Sequence, residues 1–305
     1  MIQVTNLSKS FEQIHAVKNI SFSIQPGEIF GLLGPNGAGK STTINMMSAI
    51  LKGDSGEVVI DGNSLNDNQN QCKSLIGVVP QEISLYDDFS AYDNLMFWGS
   101  LYKVPHKALK QRIVDLLELI GLSERKNDLI KTFSGGMKRR INIAAALLHE
   151  PKILFMDEPT VGVDPQSRNR IFEVIETLNK QGITIVYTTH YMEEVERLCN
   201  RIAIIDDGVI IAQGTQTELQ KMSHVNESVE ITFNSINKGQ EAHLSKLFDI
   251  TTNINSVSIQ CDVNKALSKI IMNCHACGLE VEDLKIKRVN LEDIFLGLTG
   301  KQLRD

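Results

Sequence analysis

No apolar run in this sequence approaches the roughly 18 residues that a membrane span needs. The stretches "INIAAALL" and "KILFM" are short enough to be core elements. The N-terminus, "MIQVTNLSKS", lacks the basic and apolar regions of a signal peptide. The chain is therefore expected to be soluble, with any membrane role coming through another chain. A basic excess is missing too. Lys and Arg number 31 against 37 Asp and Glu, a net charge of −6, which argues against a general nucleic-acid binder. Cysteine is scarce and odd in number, five residues in 305, which suggests reduced thiols in a cytosolic compartment. Aromatic residues make up only 6%, beside a hydrophobic share of 42% that is ordinary for an α/β protein. The length suits one large domain or a domain and a half.

What is present is concentrated in a few stretches. Gly34-Pro35-Asn36-Gly37-Ala38-Gly39-Lys40-Ser41 satisfies the pattern G-x-x-x-x-G-K-[ST]. Phosphate oxygens need closely spaced N–H donors, and side chains would block that approach. Glycines remove the side chains and permit the backbone angles of an anion-binding nest. Lys40 can reach the β- and γ-phosphates as a point charge, and the Ser41 hydroxyl can ligate Mg²⁺. Upstream, "GEIFGLLG" reads as a buried strand. Downstream, "STTINMMSAILKG" predicts a helix with Ile44, Met47, Ile50 and Leu51 on one face and Gly53 ending it. The helix N-terminus adds partial positive charge at the phosphates.

A second site follows. "KILFMDEPT" predicts a buried strand over Ile153–Met156 that ends in Asp157 and Glu158. Carboxylates at the C-terminal edge of a parallel strand face the crevice where α/β proteins bind ligands. Asp157 can hold Mg²⁺ through water, and Glu158 can polarise a water for attack on the γ-phosphorus. Taken alone, the pair reads as a polar strand end before a proline turn. Beside the glycine loop it points to phosphoryl chemistry, without separating an ATPase from a kinase.

Further stretches narrow the choice. "TFSGGMKRR" places Ser134-Gly135-Gly136 before the helix "KRRINIAAALLHEP", a second helix N-terminus able to bind phosphate. One chain has little use for two such devices on one nucleotide. "TVGVDP" follows the carboxylates, and "TIVYTTHYMEE" is another buried strand ending at His190. Together these stretches resemble the ATP-binding cassette (ABC) ATPases over roughly residues 1–220. In that resemblance the glycine loop is Walker A, "ILFMDE" is Walker B, and "FSGGM" is the signature. "GVVPQE" is the Q-loop with Gln81, "VGVD" is the D-loop with Asp164, and His190 is the switch histidine. Phe11 takes the aromatic position that stacks on adenine.

The sequence departs from the family pattern in two places. Phenylalanine stands at position 11 where tyrosine is more frequent, though its ring still offers a π-face. Phe133 and Met137 stand where the signature usually has Leu and Gln, while Ser134, Gly135 and Gly136 are intact.

The resemblance implies a P-loop NTPase cassette of α/β class that binds ATP and Mg²⁺. Two cassettes would sandwich two ATPs head to tail, Walker A of one facing the signature of the other. Ser41 and Thr42 then sit at the metal and phosphate end, and Ser41, Gln81 and Asp157 form the metal set. Glu158 orients or deprotonates water, Gln81 binds metal or water and reports occupancy, and His190 donates to the γ-phosphate. Asp164 acts across the dimer. "FSGGMKRR" with "TVGVDP" is similar to the branch serving drug, sodium, polysaccharide and bacteriocin exporters. Membrane permease subunits are the implied partners, with a second cassette, and they would hold the chain at the cytoplasmic face of the membrane.

Residues 88–150 are expected to form a helical subdomain. It includes "HKALKQRIVDLLELIGL", with Ile113, Leu116, Leu117 and Ile120 at helical spacing. Lys103, Lys107, Lys110 and Arg112 read as a solvated face. The aromatics near Trp98 read mainly as core, and residues 82–90 as a candidate permease contact. Beyond about residue 220, "SVEITFN", "SVSIQCD" and "LEVEDLKIKR" alternate as half-exposed strands, with a helix in "KALSKIIMNCHACG". A small α+β appendage is therefore expected over 225–305. Its end, "VNLEDIFLGLTGK", resembles that of the same exporter branch. Cys274 and Cys277 form a C-x-x-C at a helix end without a second ligand pair, and read as incidental. An importer ATPase is the alternative. A soluble ABC ATPase is disfavoured by the lack of a long coiled coil or a second cassette.

Overall fold

A computed structural model describes residues 1–223, 226–253, 255–261 and 263–300. It divides into two compact units, Met1–Gln216 and a second beginning at Thr217. The first opens with a hairpin of β1 (Ile2–Phe11) and β2 (Ile14–Ile24), then β3 (Ile29–Leu33) and α1 (Lys40–Met47). After β4 (Ser55–Ile60), β5 (Asn63–Ser64) and α2 (Gln69–Ser74) comes β6 (Ile76–Val79). Three helices follow: α3 (Ala91–Leu101), α4 (His106–Leu119) and α5 (Gly135–Leu147). The chain then alternates through β7 (Ile153–Asp157), α6 (Pro165–Lys180), β8 (Thr184–Thr189) and α7 (Met192–Leu198) to β9 (Arg201–Asp206) and β10 (Val209–Gly214).

The central sheet has the order β10-β9-β3-β8-β7-β6, parallel except for β10. Every residue of β3, β7 and β8 is buried. Strands covered on both faces need such continuous apolar runs. Successive residues of β7 feed opposite cores, as the two-residue period of a strand requires. Leu154 and Met156 join the cluster under α3–α6, whereas Ile153 and Phe155 join the cluster that includes Val4, Phe22 and Ile44. The latter packs beneath an antiparallel sheet of order β2-β1-β4-β5.

Three local expectations are corrected. Helix α1 ends at Met47, because Ala49 turns the chain at φ 57°, and Ile50 is left 65% exposed. Arg112 is half-buried rather than solvated, reaching Glu150 and the Leu147 carbonyl. Of the aromatics near Trp98, Tyr92 and Trp98 pack on the core, but Tyr86 and Phe89 are exposed.

The second unit starts with α8 (Gln216–Ser223), whose first residue lies in the first unit. It continues as β11 (Ser228–Phe233), α9 (Lys238–Ser245), β12 (Asp249–Thr252), β13 (Ser256–Gln260), α10 (Val263–Ala276), β14 (Val281–Lys287) and α11 (Leu291–Thr299). Its antiparallel sheet, β12-β13-β11-β14, is a split βαβ arrangement. Val229, Ile231, Val257 and Ile259 face Leu244 of α9 and Ile270 and Cys274 of α10. Cys274 is thus a core residue, and burial pushes its thiol pKa up. Among the described residues no cluster of His, Cys, Asp and Glu could hold a metal, and no helix is long and apolar enough to cross a membrane.

Candidate active site

The carboxyl ends of β3, β7 and β8 bring three loops to one edge of the central sheet, where open α/β sheets bind ligands. The register fixes their depth: Leu33 lies beside Thr189, and Asp157 beside Thr188. The chain leaving β3 forms the glycine loop. Gly39 caps α1 at φ 105°, and a Cβ there would lie 2.5 Å from the Ala16 carbonyl of β2. A Cβ on Gly34 would meet the Ile205 carbonyl at 2.1 Å. The loop is a cradle closed to side chains, with Asn36 and Gly37 at its exposed rim and Ala38 tied to Gly208 N–H through its carbonyl. Thr42, in the first turn of α1, is half-buried.

Lys40 begins that helix and turns back over the loop. Its ammonium donates to the carbonyls of Gly34 (2.9 Å) and Pro35 (3.1 Å) and pairs with Glu158 Oε1 at 3.0 Å. Lys40 and Glu158 are 4% and 6% exposed, so the pair attracts with little screening. Two further groups converge on the same carboxylate: Gln81 Nε2 donates to Oε2 at 3.2 Å, and His190 Nδ1 lies 3.3 Å from Oε1. Glu158 is held for this at φ 45°, an unusual conformation for a residue with a Cβ. Its N–H is fixed by the Thr188 carbonyl and hydroxyl, at 3.2 and 3.0 Å. One residue earlier, Asp157 Oδ1 accepts from Ser41 Oγ at 3.1 Å and Thr188 Oγ1 at 2.6 Å. Lys40, Ser41, Gln81, Asp157, Glu158 and His190 are therefore joined in one place.

The remaining predicted residues stand apart from that network. Ser134 caps α5 and accepts from Met137 N–H at 3.3 Å, with Gly135 exposed beside it. Gly136 is buried, and a Cβ on it would lie 2.2 Å from Ser167 Cβ, so close packing of α5 on α6 requires glycine there. Asp164 caps α6, and the Ser167 N–H and hydroxyl hold its exposed carboxyl below the usual range. Among the described residues, no hydrogen bond or ion pair joins Ser134 or Asp164 to the Lys40–Glu158 cluster. Phe11 is exposed at the end of β1, with Lys9 Nζ 5.6 Å from its ring centre.

Comparison with known proteins decides the family. The ABC transporter family model matches residues 17–161. The linearmycin resistance ATP-binding protein LnrL of Bacillus subtilis is 45% identical over the full length of both chains. The chain belongs to the ABC transporter family. Other similar proteins are a Nod factor export ATP-binding protein I of Cupriavidus metallidurans, at 36% identity over 100% of this chain and 99% of that one, and the daunorubicin/doxorubicin resistance ATP-binding protein DrrA of Streptomyces peucetius, at 33% over 100% and 94%. A solved dimeric bacterial ABC transporter cassette, MJ0796, superposes with a TM-score of 0.64 at 29% identity, covering 70% of this chain and 98% of that one. The same cassette is known bound to ADP and Pi.

In this ABC cassette the structure adds residues that the motifs do not name. Thr188 fixes both residues of the Walker B end, its hydroxyl accepting from the Glu158 N–H and donating to the Asp157 carboxylate. Arg139, three residues into the helix after Gly136, is buried and donates to the carbonyls of Pro80 (2.6 Å) and Gln81 (2.5 Å). Asn142, one turn further, reaches the backbone of Ser84 and Glu82. The "KRR" after the signature glycines was the available signal for Arg139; its partners were not readable from spacing.

Proposed function

We propose that this chain is the ATP-hydrolysing subunit that powers export of a substrate through separate membrane permease chains, working as a head-to-tail pair of cassettes. The observation carrying this reading is the Glu158 carboxylate, on which Lys40, Gln81 and His190 converge. The ammonium has three donors, engaged by Gly34, Pro35 and Glu158. Phosphate oxygens of ATP are stronger acceptors for those donors. Their arrival draws Lys40 from Glu158 and frees the carboxylate to take a proton from an attacking water. His190 then donates to the γ-phosphate, and Gln81 orients the water. The backbone N–H groups from Gly34 to Lys40, with Thr42, hold the remaining phosphate oxygens, and the Phe11 ring stacks on adenine.

The oxygen donors of Ser41 and Asp157, 3.1 Å apart, fit a hard divalent cation, with Gln81 completing the set. A Mg²⁺ ion held there would neutralise phosphate charge. The second device, Ser134 with Gly135 and Gly136, makes no hydrogen bond to the Lys40–Glu158 cluster of its own chain among the described residues. It serves the ATP of a partner cassette, with Asp164 beside it. Relatives named for antibiotic resistance and Nod factor export support an exporter. Residues 82–90, where Tyr86 and Phe89 are exposed with their rings 5.3 Å apart and tilted, are the contact offered to a permease at the cytoplasmic face of the membrane.

Glu158→Gln keeps the size and removes the base. Hydrolysis should fall by at least about 10²-fold, the low end for losing a positioned general base. ATP should still bind, and an ATP-bound dimer should accumulate on size exclusion. Adding Ser134→Arg should abolish the dimer and spare ATP binding by the monomer. Hydrolysis at the parent rate in Glu158→Gln would refute the role of Glu158. Full dimerisation of the double variant would refute the head-to-tail pairing.

A further inference from the structure

One buried carboxylate lies outside the phosphate-facing cluster and takes hydrogen bonds from three hydroxyl groups. Glu194, on α7, is 2% exposed. Its Oε1 accepts from Thr160 Oγ1 at 2.6 Å. Its Oε2 accepts from Tyr187 OH and Thr189 Oγ1, both at 2.9 Å. The donor directions are fixed. Thr189 Oγ1 already accepts from Tyr191 N–H at 2.9 Å, so its own proton points to Glu194. Tyr187 is kept protonated by burial and by the carboxylate beside it. Arg168 of α6 adds the nearest positive charge, its Nε 3.7 Å from Oε1 and its guanidinium 5.2 Å over the Tyr191 ring.

These partners belong to two segments that leave the central sheet, one after β7 and one at the end of β8. Thr160 is two residues after Glu158, and its carbonyl accepts from Val163 N–H at the start of the turn that leads to Asp164. Thr189 and Tyr191 flank His190, and the His190 and Tyr191 rings lie 4.1 Å apart. An unpaired carboxylate at this depth would be costly, so its hydroxyl partners cannot leave it singly. A network of this kind is stable when complete and penalised when partly broken.

The geometry points to Glu194 as the positioning residue that ties the turn carrying Asp164 to the segment carrying His190. This rests on the reading of the site given above. The orientation of the group that faces a partner cassette is thereby set together with that of the group that faces the γ-phosphate. Glu194 touches neither nucleotide nor metal in this scheme. Its loss should change turnover and leave nucleotide affinity alone.

The test uses the full chain with Mg-ATP and measures kcat, KM and melting temperature. Glu194→Gln turns one acceptor into a donor facing hydroxyls. It should lower kcat at least about 10-fold, well within what a small misplacement of reacting groups costs, with KM changed less than about threefold. Thr160→Val should do the same through the Asp164 arm alone, whereas Thr160→Ser, which keeps the hydroxyl, should restore kcat. Leu198→Ala removes buried packing from the same helix. It should lower the melting temperature and leave kcat unchanged below it. The proposal is overturned by a folded Glu194→Gln with kcat within about twofold of the parent, or by Leu198→Ala reproducing the loss at the same distance below its melting point. If Glu194→Gln does not fold, Thr160→Val decides by the same criteria. Glu158→Gln in the same assay separates the two ideas. Parental hydrolysis there overturns the reading of the site and the role of Glu194 with it. A loss there without one in Glu194→Gln sinks only the role of Glu194.

Discussion

At the scale of single residues, the helix that follows Ser134 reaches Gln81 through Arg139. Its guanidinium is buried on the signature helix, where burial pushes its pKa down while the charge of Asp157 helps to hold the proton. Two of its nitrogens hold the successive carbonyls of Pro80 and Gln81, on either side of the Gln81 Cα, and so aim Gln81 at Glu158. Arg139→Met removes both donors, and each carbonyl left unpaired costs about 1–3 kcal/mol. The variant should unfold at lower urea, and kcat should drop about 10-fold or more through the loss of an aimed Gln81, with ATP affinity near that of the parent. Arg139→Lys should fall between them, because a point charge cannot span two carbonyls as a planar fork does. Parental kcat in folded Arg139→Met would show that Gln81 is positioned by other contacts. Lys40, Ser41, Asp157 and Glu158 were legible in the sequence because each sits directly at a strand end or helix start. Arg139 and Thr188 were not, since their partners lie 58 and 31 residues away and no local spacing encodes such contacts.

At the scale of elements, β3, β7 and β8 were readable because burial on both faces forces an unbroken apolar run. The hairpin of β1 and β2 was not read, since register shifts after Val4, Leu7 and Lys9 break the alternation that marks a strand. The short β12 and α9 of the second unit carry too few apolar positions to give a period. The seam between helices and sheet holds a group that should respond to pH. His149, after α5, lies 2.8 Å through Nε2 from the Ile76 carbonyl of β6 and stacks on Tyr102 after α3, 3.9 Å between ring centres. Burial, and secondarily the charge of Arg112, push its pKa below the ordinary 6.5. The folded protein therefore keeps His149 neutral where the unfolded chain has begun to take up a proton. Stability from this group is full above about pH 6.5 and is lost as pH falls through the lower folded value. His149→Phe keeps the stack and removes the titration. It should melt lower at neutral pH, but its melting temperature should fall less steeply between about pH 7 and pH 5. Parallel slopes for the two proteins would show that His149 does not titrate in this window.

At the scale of the whole molecule, the residues of the site lie in one of the two units. Every residue that converges on Glu158 lies between Met1 and Gln216, and so do the apolar clusters on the two faces of the central sheet. The second unit has a core of its own, from Val229 to Leu284, enclosed by its own sheet and two helices. The solved cassette MJ0796 is covered over 98% of its length by 70% of this chain, a share close to the 216 residues of the first unit. A chain ending at Gln216 should remain folded, with cooperative melting, and bind ATP with an affinity within about threefold of the parent, as expected when no residue touching the nucleotide is removed. Coupling to a permease is a separate property and should be measured separately, as stimulation of hydrolysis by the partner. If the truncated chain binds ATP and loses only that stimulation, the second unit serves the transporter rather than the chemistry. If it unfolds, the first unit draws stability from residues beyond Gln216, and the division into an ATPase cassette and an appendage fails.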